Sequence, residues 1–210
     1  MERKLYFYKM TTDNGGAPCV SNGLLSLAIC KGKIRCKAEA ESIIFGFAAK
    51  KLKRDERLIY IAVVKEKLAK GEYYLGDSGY KSRPDCIYKL GKDGQTAKRK
   101  KTAKFHTKSD ERKRDVGMKF ENANVLLSDN FRYFGEKGTD DYKQKYPAIK
   151  AVIKKLKQGH RVNHDENLRD ELLRLKEEMW RKFTKKKLGE PTSKDRCTLC
   201  NRSGLLEESL

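Results

Sequence analysis

The sequence lacks the long apolar runs that membrane proteins carry, and its opening residues do not have the pattern expected of a leader. No segment of the 210 residues approaches the roughly 18 consecutive apolar residues of a membrane helix. The opening, Met-Glu-Arg-Lys-Leu-Tyr-Phe-Tyr, has no apolar core behind its charges and predicts no signal peptide. We therefore expect a cytoplasmic protein without a membrane partner.

Several common enzyme motifs are also missing. The chain has neither the glycine-rich loop that ends in Gly-Lys-Ser/Thr nor a Gly-x-Gly-x-x-Gly turn. It also has no His-Glu-x-x-His and no Gly-x-Ser-x-Gly. These absences disfavour the usual ATPases, dehydrogenases, zinc proteases and serine hydrolases.

Positive charge is what the chain has in excess. Lys and Arg number 49 against 29 Asp and Glu, which gives a net charge of +20. Such an excess attracts polyanions and favours nucleic acid or nucleotides as partners. The alternative is that lysine only decorates solvated faces. The net charge does not choose between these interpretations.

The apolar pattern predicts an α+β fold. Short runs rich in β-branched and aromatic residues predict strands at 4–10, 42–47, 58–64, 86–88 and 124–127. The last third is helical: Pro147 suits a first helical turn, an apolar stripe ends at Gly159, and a second helix is expected from near Asp165.

Segment 89–115 has a different character. It carries eleven Lys or Arg and four Asp or Glu, with few large apolar residues. This composition predicts a long exposed loop. The loop is either an arm that binds phosphate or a solvated, mobile insertion.

Six cysteines are present, and without a secretion signal we expect reduced thiols. Cys30 is either a small buried residue beside a basic cluster or a nucleophile activated by neighbouring cations. Cys197 and Cys200 form a Cys-x-x-Cys pair, which makes zinc the candidate cofactor. His160 and His164 are the residues that would complete four ligands; alternatively, His160 only interacts with a helix end.

Three blocks of sequence carry a family resemblance. The first is Thr-Asp-Asn-Gly-Gly-Ala-Pro at 12–18 with Leu-Leu-Ser-Leu-Ala-Ile-Cys-Lys-Gly-Lys-Ile-Arg at 24–35. The second comprises 40–46, 58–64 and 72–74, and the third comprises 83–88, 125–135 and the Gly-His pair at 159–160. Over residues 5–165 the chain resembles the second nucleotide modification associated domain family of phages and bacteria. It departs from that pattern at Gly32 and at Glu41-Ser42.

The resemblance implies a role in DNA base modification or in phage–host conflict, in the bacterial host cell if a phage encodes the protein. The strand pattern of the chain is also similar to that of small PUA-like barrels such as the EVE and ASCH domains, which bind a base in a cleft. We therefore expect a small mixed β-barrel or strongly bent sheet at 1–145, including the basic insertion 89–115. A helical hairpin at 146–188 would pack on it, followed by a tail at 189–210.

Polar residues within the matching blocks are the candidate site. Guanidinium groups and lysines can hold phosphate, carboxylates can accept from a base edge or act as general bases, and aromatic rings can stack a base. The candidates for nucleotide binding are Asp13, Lys31, Arg35, Arg83, Asp85, Tyr88, Phe131 and Tyr133, and those for catalysis are Asp13, Cys30, Asp85 and His160. We expect Asp13, Arg35, Arg83 and Asp85 to meet in one pocket. The alternatives are an Arg83–Asp85 ion pair that pins a loop, and a purely structural role for the aromatic residues.

The sequence thus predicts a protein that binds nucleic acid or a nucleotide and recognises a modified base in a cleft. Two alternatives stay open. One is a transferase-like enzyme that modifies bases or nucleotides. The other is an interaction protein that inhibits a host defence factor, with a host or phage protein as its partner.

Overall fold

The computed structural model describes residues 3–76, 79–157 and 159–193. The strands are Leu5–Met10 (β1), Cys19–Ser21 (β2), Leu24–Leu27 (β3), Ile43–Ala48 (β4), Leu58–Val63 (β5), Glu66–Leu68 (β6), Tyr88–Leu90 (β7), Ala97–Arg99 (β8), Val125–Ser128 (β9), Asn130–Tyr133 (β10) and His160–Arg161 (β11). The helices are Gly32–Lys37 (α1), Glu72–Leu75 (α2), Ser109–Asp115 (α3), Tyr142–Lys145 (α4), Pro147–Lys155 (α5) and Glu166–Lys182 (α6).

The strands form three sheets. The largest has the order β10-β5-β4-β1-β11, in which β1 and β4 are parallel and the other pairs antiparallel. A second sheet has the order β2-β3-β9-β6, and β7 pairs with β8. The predicted α+β class is confirmed. Within the described residues none of the three sheets closes on itself, so the structure contains open sheets where we expected either a small barrel or a strongly bent sheet.

The five-stranded sheet is buried on both faces, as its uninterrupted apolar strands predict. Along β1, Leu5 and Phe7 project toward α5 and α6, whereas Tyr6 and Tyr8 project toward the second sheet, because side chains alternate along a strand. The second sheet meets this face through apolar residues of β3 and β9. The fold is therefore layered: helices α5 and α6 form the first layer, the five-stranded sheet the second, and the four-stranded sheet the third.

Both predicted C-terminal helices are confirmed. Pro147 is the first residue of α5, and the carboxylate of Asp165 caps α6 by accepting a hydrogen bond of 2.8 Å from the amide of Leu168. The stripe of Leu168, Leu172, Leu175 and Met179 is buried against the large sheet. No helix in the described part of the chain has both the length and the apolar composition needed to cross a bilayer.

Segment 89–115 is not the long exposed loop that its composition predicts. It contains most of β7, all of β8 and all of α3, and it covers the outer face of the second sheet. Ala97 and Phe105 are buried there, and the guanidinium of Arg99 donates 3.0 Å to the carbonyl oxygen of Phe105. A few apolar anchors and side-chain-to-backbone hydrogen bonds order this segment, which a count of its charges does not reveal.

Candidate active site

Cys30 occupies a tight turn between β3 and α1. Its φ is 56° and that of Lys31 is 44°, so two consecutive residues with side chains adopt the left-handed conformation. That conformation costs free energy for residues other than glycine and clusters at functional sites. Cys30 is half-buried, which leaves part of it accessible from a cleft that it lines.

A histidine and an aspartate complete a chain of contacts from this thiol. The Cys30 Sγ lies 3.2 Å from Nε2 of His106, and Nδ1 of His106 is hydrogen bonded to Oδ2 of Asp115. His106 lies between β8 and α3 and is only 6% exposed, while Asp115 is the last residue of α3 and is 2% exposed. The order thiol, imidazole, carboxylate is that of the cysteine–histidine–acid triads of thiol enzymes.

Asp115 fixes both ends of this arrangement. Its Oδ1 accepts 2.8 Å from the backbone amide of Cys30, and its Oδ2 accepts 2.8 Å from the hydroxyl of Tyr88 as well as bonding to His106. One carboxylate thus binds both the backbone of Cys30 and the imidazole of His106. The Asp115 side chain therefore orients His106 and sets its distance from Cys30.

The buried side chain of Arg35 connects the same segments through hydrogen bonds. It is 1% exposed, and its Nε and two terminal nitrogens donate to the carbonyl oxygens of Cys30, Asn124 and Asp115, respectively. One guanidinium nitrogen also lies 3.7 Å from Oδ1 of Asp115. Because every nitrogen of the guanidinium already serves a protein oxygen, Arg35 holds the site's backbone together and offers no free fork to a phosphate.

The charge of His106 follows from its neighbours. Burial opposes its protonation, but the hydrogen bonds to Asp115 and Cys30 and the charges of these two groups together raise the pKa of His106 to about 10. At neutral pH the ring is therefore an imidazolium that donates from both nitrogens, one of them to the sulfur. The Cys30 sulfur is therefore in direct contact with a positively charged ring at 3.2 Å.

The cleft above Cys30 is small. Its volume is about 130 Å³, close to the ~150 Å³ of a cavity that accepts one benzene ring. Besides the thiol and the imidazole it is lined by Met10, Thr11, Thr12, Asn14, Ala17, Ile29, Lys31 and Phe105. It has room for one planar ring, and the remainder of a larger ligand would lie outside it.

Lys31 brings a positive charge to this cleft. Its ammonium lies 4.3 Å from the centre of the Tyr8 ring, and burial lowers the pKa of Lys31 although Cys30 opposes that shift. Within the described ranges it forms no ion pair with a carboxylate. The sequence-predicted residues Cys30 and Lys31 thus lie together in the cleft.

The predicted Arg83–Asp85 pair forms a separate network. Asp85 is completely buried and accepts 2.7 Å from the hydroxyl of Tyr73 and 2.5 Å from that of Ser26. Nε of Arg83 lies 3.6 Å from Asp85, and the other two guanidinium nitrogens donate to Ser26 and to backbone carbonyls of the β2–β3 hairpin. Burial raises the pKa of Asp85 against the effect of these partners. The pair fastens the hairpin to the segment that follows α2.

Asp13 belongs to a third network. Its carboxylate accepts 2.7 Å from the hydroxyl of Tyr133 and 3.0 Å from both the amide and the hydroxyl of Thr192. It anchors the segment after α6 to the turn that follows β1. Asp13, Arg35, Arg83 and Asp85 therefore lie in three networks and do not face one shared cavity.

The remaining predicted residues lie elsewhere. Phe131 and Tyr133 are buried between the two larger sheets, and Tyr88 supports Asp115. His160 pairs with Tyr8 across β1 and β11, whereas His164 stacks on Phe7 and bonds to the carbonyl of Leu5 at 2.8 Å.

The predicted zinc ligands are only partly placed. Cys197 and Cys200 lie outside the described residues. Within those residues no group of three or more His, Cys, Asp or Glu side chains is arranged to hold a metal ion.

Sequence analysis did not find His106 and Asp115. Both lie in segment 89–115, where the density of lysine and arginine hides single residues, and they are 76 and 85 positions from Cys30. The signal that was available is a cysteine with a distant histidine, which is how thiol nucleophiles and their bases are typically separated.

Comparison with known proteins identifies the family. A family model described as nucleotide modification associated domain 2 matches residues 2–197. No curated protein and no solved structure matches the chain. Since the model spans nearly the whole sequence, including Cys30, His106 and Asp115, this chain belongs to the nucleotide modification associated domain 2 family.

Proposed function

We propose that this protein is a thiol-dependent enzyme that modifies a nucleotide base, with Cys30 as nucleophile. The observation that carries the proposal is the contact of 3.2 Å between Cys30 Sγ and Nε2 of a histidine whose other nitrogen is bonded to a buried carboxylate. Membership of a family associated with nucleotide modification supports the substrate class. The enzyme alternative of the sequence analysis is thus favoured over simple binding.

The geometry supports the following division of labour. The Cys30 thiolate adds to an electrophilic carbon of the base, and a carbon–sulfur bond forms as the π electrons of the ring move to a neighbouring atom. The imidazolium of His106 donates its Nε2 proton to the atom that receives this charge, and Asp115 keeps the ring aligned. A modified base results when an electrophilic group donor reacts at the ring carbon made electron-rich by this addition and the proton on that carbon leaves to solvent. Expulsion of the thiolate, with return of the proton to His106, then releases the modified base and restores the enzyme.

A structural role explains these residues less well. A cysteine that only fills space is buried among apolar groups and needs neither a histidine partner nor an unusual backbone. Here Cys30, Lys31 and His106 all have positive φ, and the thiol is accessible from the cleft. Such backbone is maintained only where the surrounding structure enforces it, and Arg35 and Asp115 do so here.

Selective alkylation tests the proposal. Purified protein is treated with iodoacetamide from pH 5 to 8, and labelling is quantified for each cysteine by mass spectrometry. We expect Cys30 to react at a rate that changes little with pH, because an imidazolium already supports the thiolate. The exposed Cys36 is the internal reference, since a free thiol labels about tenfold faster per pH unit in this range.

Two variants complete this test. His106→Asn should restore a tenfold rise per pH unit at Cys30, whereas Cys19→Ser should leave Cys30 labelling unchanged, because burial raises the pKa of Cys19 to about 12. A covalent adduct between Cys30 and a substrate base, trapped and located by mass spectrometry, would identify the substrate. If Cys30 and Cys36 label with the same pH dependence, Cys30 is not an activated nucleophile.

A second candidate function is recognition of a modified base without chemistry, as in PUA-like domains. One observation favours it: Phe105 supplies a flat wall and Thr12 and Asn14 supply polar groups, which is what a base reader requires. Under this alternative, nucleotides bind to the Cys30→Ser variant as tightly as to the native protein and no adduct forms.

A further inference from the structure

Three side chains form a rim beside the cleft, in which two lysines carry the positive charge and a neutral histidine offers hydrogen-bonding nitrogens. Tyr8 and His160 are directly opposite each other in the antiparallel pair of β1 and β11, so their side chains project from the same face of the sheet. The Lys31 ammonium lies over the Tyr8 ring at 4.3 Å, which makes Lys31 and His160 neighbours. Lys33 follows in α1 and is exposed.

The charges around His160 agree with this arrangement. Burial lowers the pKa of His160, and the charges of Lys33 and Lys31 lower it further. Both ammonium groups therefore act on the same imidazole. The three residues, Lys31, Lys33 and His160, are called the cationic rim below.

The cationic rim carries no counter-charge of its own. Across the described residues, neither lysine of the rim forms an ion pair with a carboxylate, and the His160 side chain has no hydrogen-bond partner. The buried arginines contrast with it, because Arg35 and Arg83 donate from every guanidinium nitrogen to protein oxygens. The rim is thus where an external anion would find unused donors and positive charge.

The size of the cleft indicates where such an anion would lie relative to Cys30. The cleft of about 130 Å³ holds one ring, so the sugar and phosphate of a nucleotide must lie outside it. Lys31 lines the cleft next to Cys30 and also belongs to the rim. A base held against Cys30 would therefore present its attached phosphate to the rim.

We infer that Lys31, Lys33 and His160 form a phosphate subsite, and that the enzyme's substrate is a phosphate ester of a nucleoside and not a free base or nucleoside. This inference rests on the proposed function at Cys30. The phosphate belongs either to a mononucleotide or to a nucleic acid strand. A lysine ammonium binds either as a point charge, without the geometric demand of an arginine fork.

Protection of Cys30 from iodoacetamide tests the subsite. The probes are the four 2′-deoxynucleosides, their 5′-monophosphates, single-stranded oligonucleotides of each base, and inorganic phosphate. For at least one base, we expect the monophosphate to halve the labelling rate at a concentration at least tenfold below that of its nucleoside. If an oligonucleotide protects at even lower concentrations than the monophosphate, the phosphate belongs to a nucleic acid strand. If a monophosphate protects at the lowest concentration, the phosphate belongs to a free nucleotide.

Variants link the effect to named residues. Lys31→Met should reduce the tenfold ratio to about one, while Lys154→Ala, a change on an exposed face of α5 beyond the large sheet, should leave it unchanged. If Lys31→Met does not fold, the exposed Lys33→Ala decides the question. A ratio near one in the native protein, or a tenfold ratio that persists in the deciding variant, overturns the inference.

The two proposals fail in different ways. Isothermal titration calorimetry with the same compounds measures binding without reference to the reactivity of Cys30. Preferential binding of monophosphates to a protein whose Cys30 shows no activation would leave the subsite intact and remove the enzyme. An activated Cys30 without a preference for phosphate would leave the proposed enzyme intact and rule out the phosphate subsite.

Discussion

The molecule contains two buried aspartate networks that are built alike and end differently. Asp115 and Asp85 each accept from a tyrosine hydroxyl, Tyr88 or Tyr73, and each lies within 4 Å of a buried arginine. The Asp85 network is closed, because its remaining partner is the hydroxyl of Ser26 inside the second sheet. The Asp115 network reaches the cleft through His106 and Cys30.

The difference shows what separates a structural network from a reactive one. A buried carboxylate with satisfied hydrogen bonds stabilises the segments it joins, and Asp85 and its side-chain partners are all buried. Asp115 has the same supports but places a titratable ring between itself and an accessible thiol. Burial of an aspartate therefore does not by itself identify a functional site. The groups that it binds do so: Asp85 binds a buried serine hydroxyl, whereas Asp115 binds a histidine that contacts a thiol in the cleft.

The largest contrast is expected from removing each carboxylate's charge. Asp85→Asn leaves the Arg83 guanidinium buried without a counter-charge, so we expect the free energy of unfolding to fall by about 3–5 kcal/mol. Labelling of Cys30 should keep its weak dependence on pH. Urea denaturation and alkylation of the same sample measure both effects.

Asp115→Asn is the matched change. It removes the charge that supports the imidazolium, so Cys30 labelling should acquire a steep pH dependence in protein that is still folded. If Asp85→Asn alters the Cys30 profile as strongly as Asp115→Asn does, the two networks are not functionally distinct.

A smaller effect is expected in the pH dependence of stability. The pKa of His106 is about 10 in the folded protein against ~6.5 for an unperturbed histidine. Its stabilising contribution is therefore complete below about pH 6.5 and disappears as the pH rises through 10. For one proton the slope is at most about 1.4 kcal/mol per pH unit.

His106→Asn isolates this contribution. The difference in unfolding free energy between native protein and variant should shrink from about pH 8.5 to 10, as followed by urea denaturation at each pH. Below about pH 8.5 the unfolded chain keeps a thiol proton that the proposed Cys30 thiolate has lost, and this offsets the proton that His106 holds in the folded protein. Lys31, whose pKa is lowered by burial, titrates in both proteins and cancels in the difference. A difference that is constant over this range would mean that His106 is not protonated.

The smallest effect sharpens the comparison at the level of one hydroxyl. Tyr88→Phe and Tyr73→Phe each delete a single hydrogen bond to a buried aspartate, so each should lower the unfolding free energy by about 1–2 kcal/mol. Only Tyr88→Phe should also change the pH profile of Cys30 labelling. Equal profiles in the two variants would assign Tyr88 a structural role alone.

Much of the fold was predictable from local pattern. The apolar runs that became β1, β4 and β5 and the stripes of α5 and α6 were recognised because each is a continuous signal within one element. The open sheets were not, since closure depends on which strands pair. The order β10-β5-β4-β1-β11 joins segments more than a hundred residues apart.

The candidate site divides along the same line. Cys30 and Lys31 were identified because they are neighbours in a block that resembles the family. Arg35 and Asp85 were selected as ligands for their charge, yet their partners turned out to be backbone carbonyls, a serine and a tyrosine. Whether a buried charged residue has donors or acceptors to spare depends on its tertiary neighbours.

The sequence by itself determined the α+β class, the basic balance of the chain and the family, because composition, periodicity and local blocks are properties of neighbouring residues. Only the tertiary structure decided that the basic segment folds over the second sheet and brings His106 and Asp115 to Cys30. Contacts across 76 and 85 positions are made by the packing of Phe105 and α3 against the sheet, and no local pattern records them. The same packing places His106 and Asp115, two of the three residues in the Cys30–His106–Asp115 chain of contacts, in a segment that we predicted to be an exposed loop.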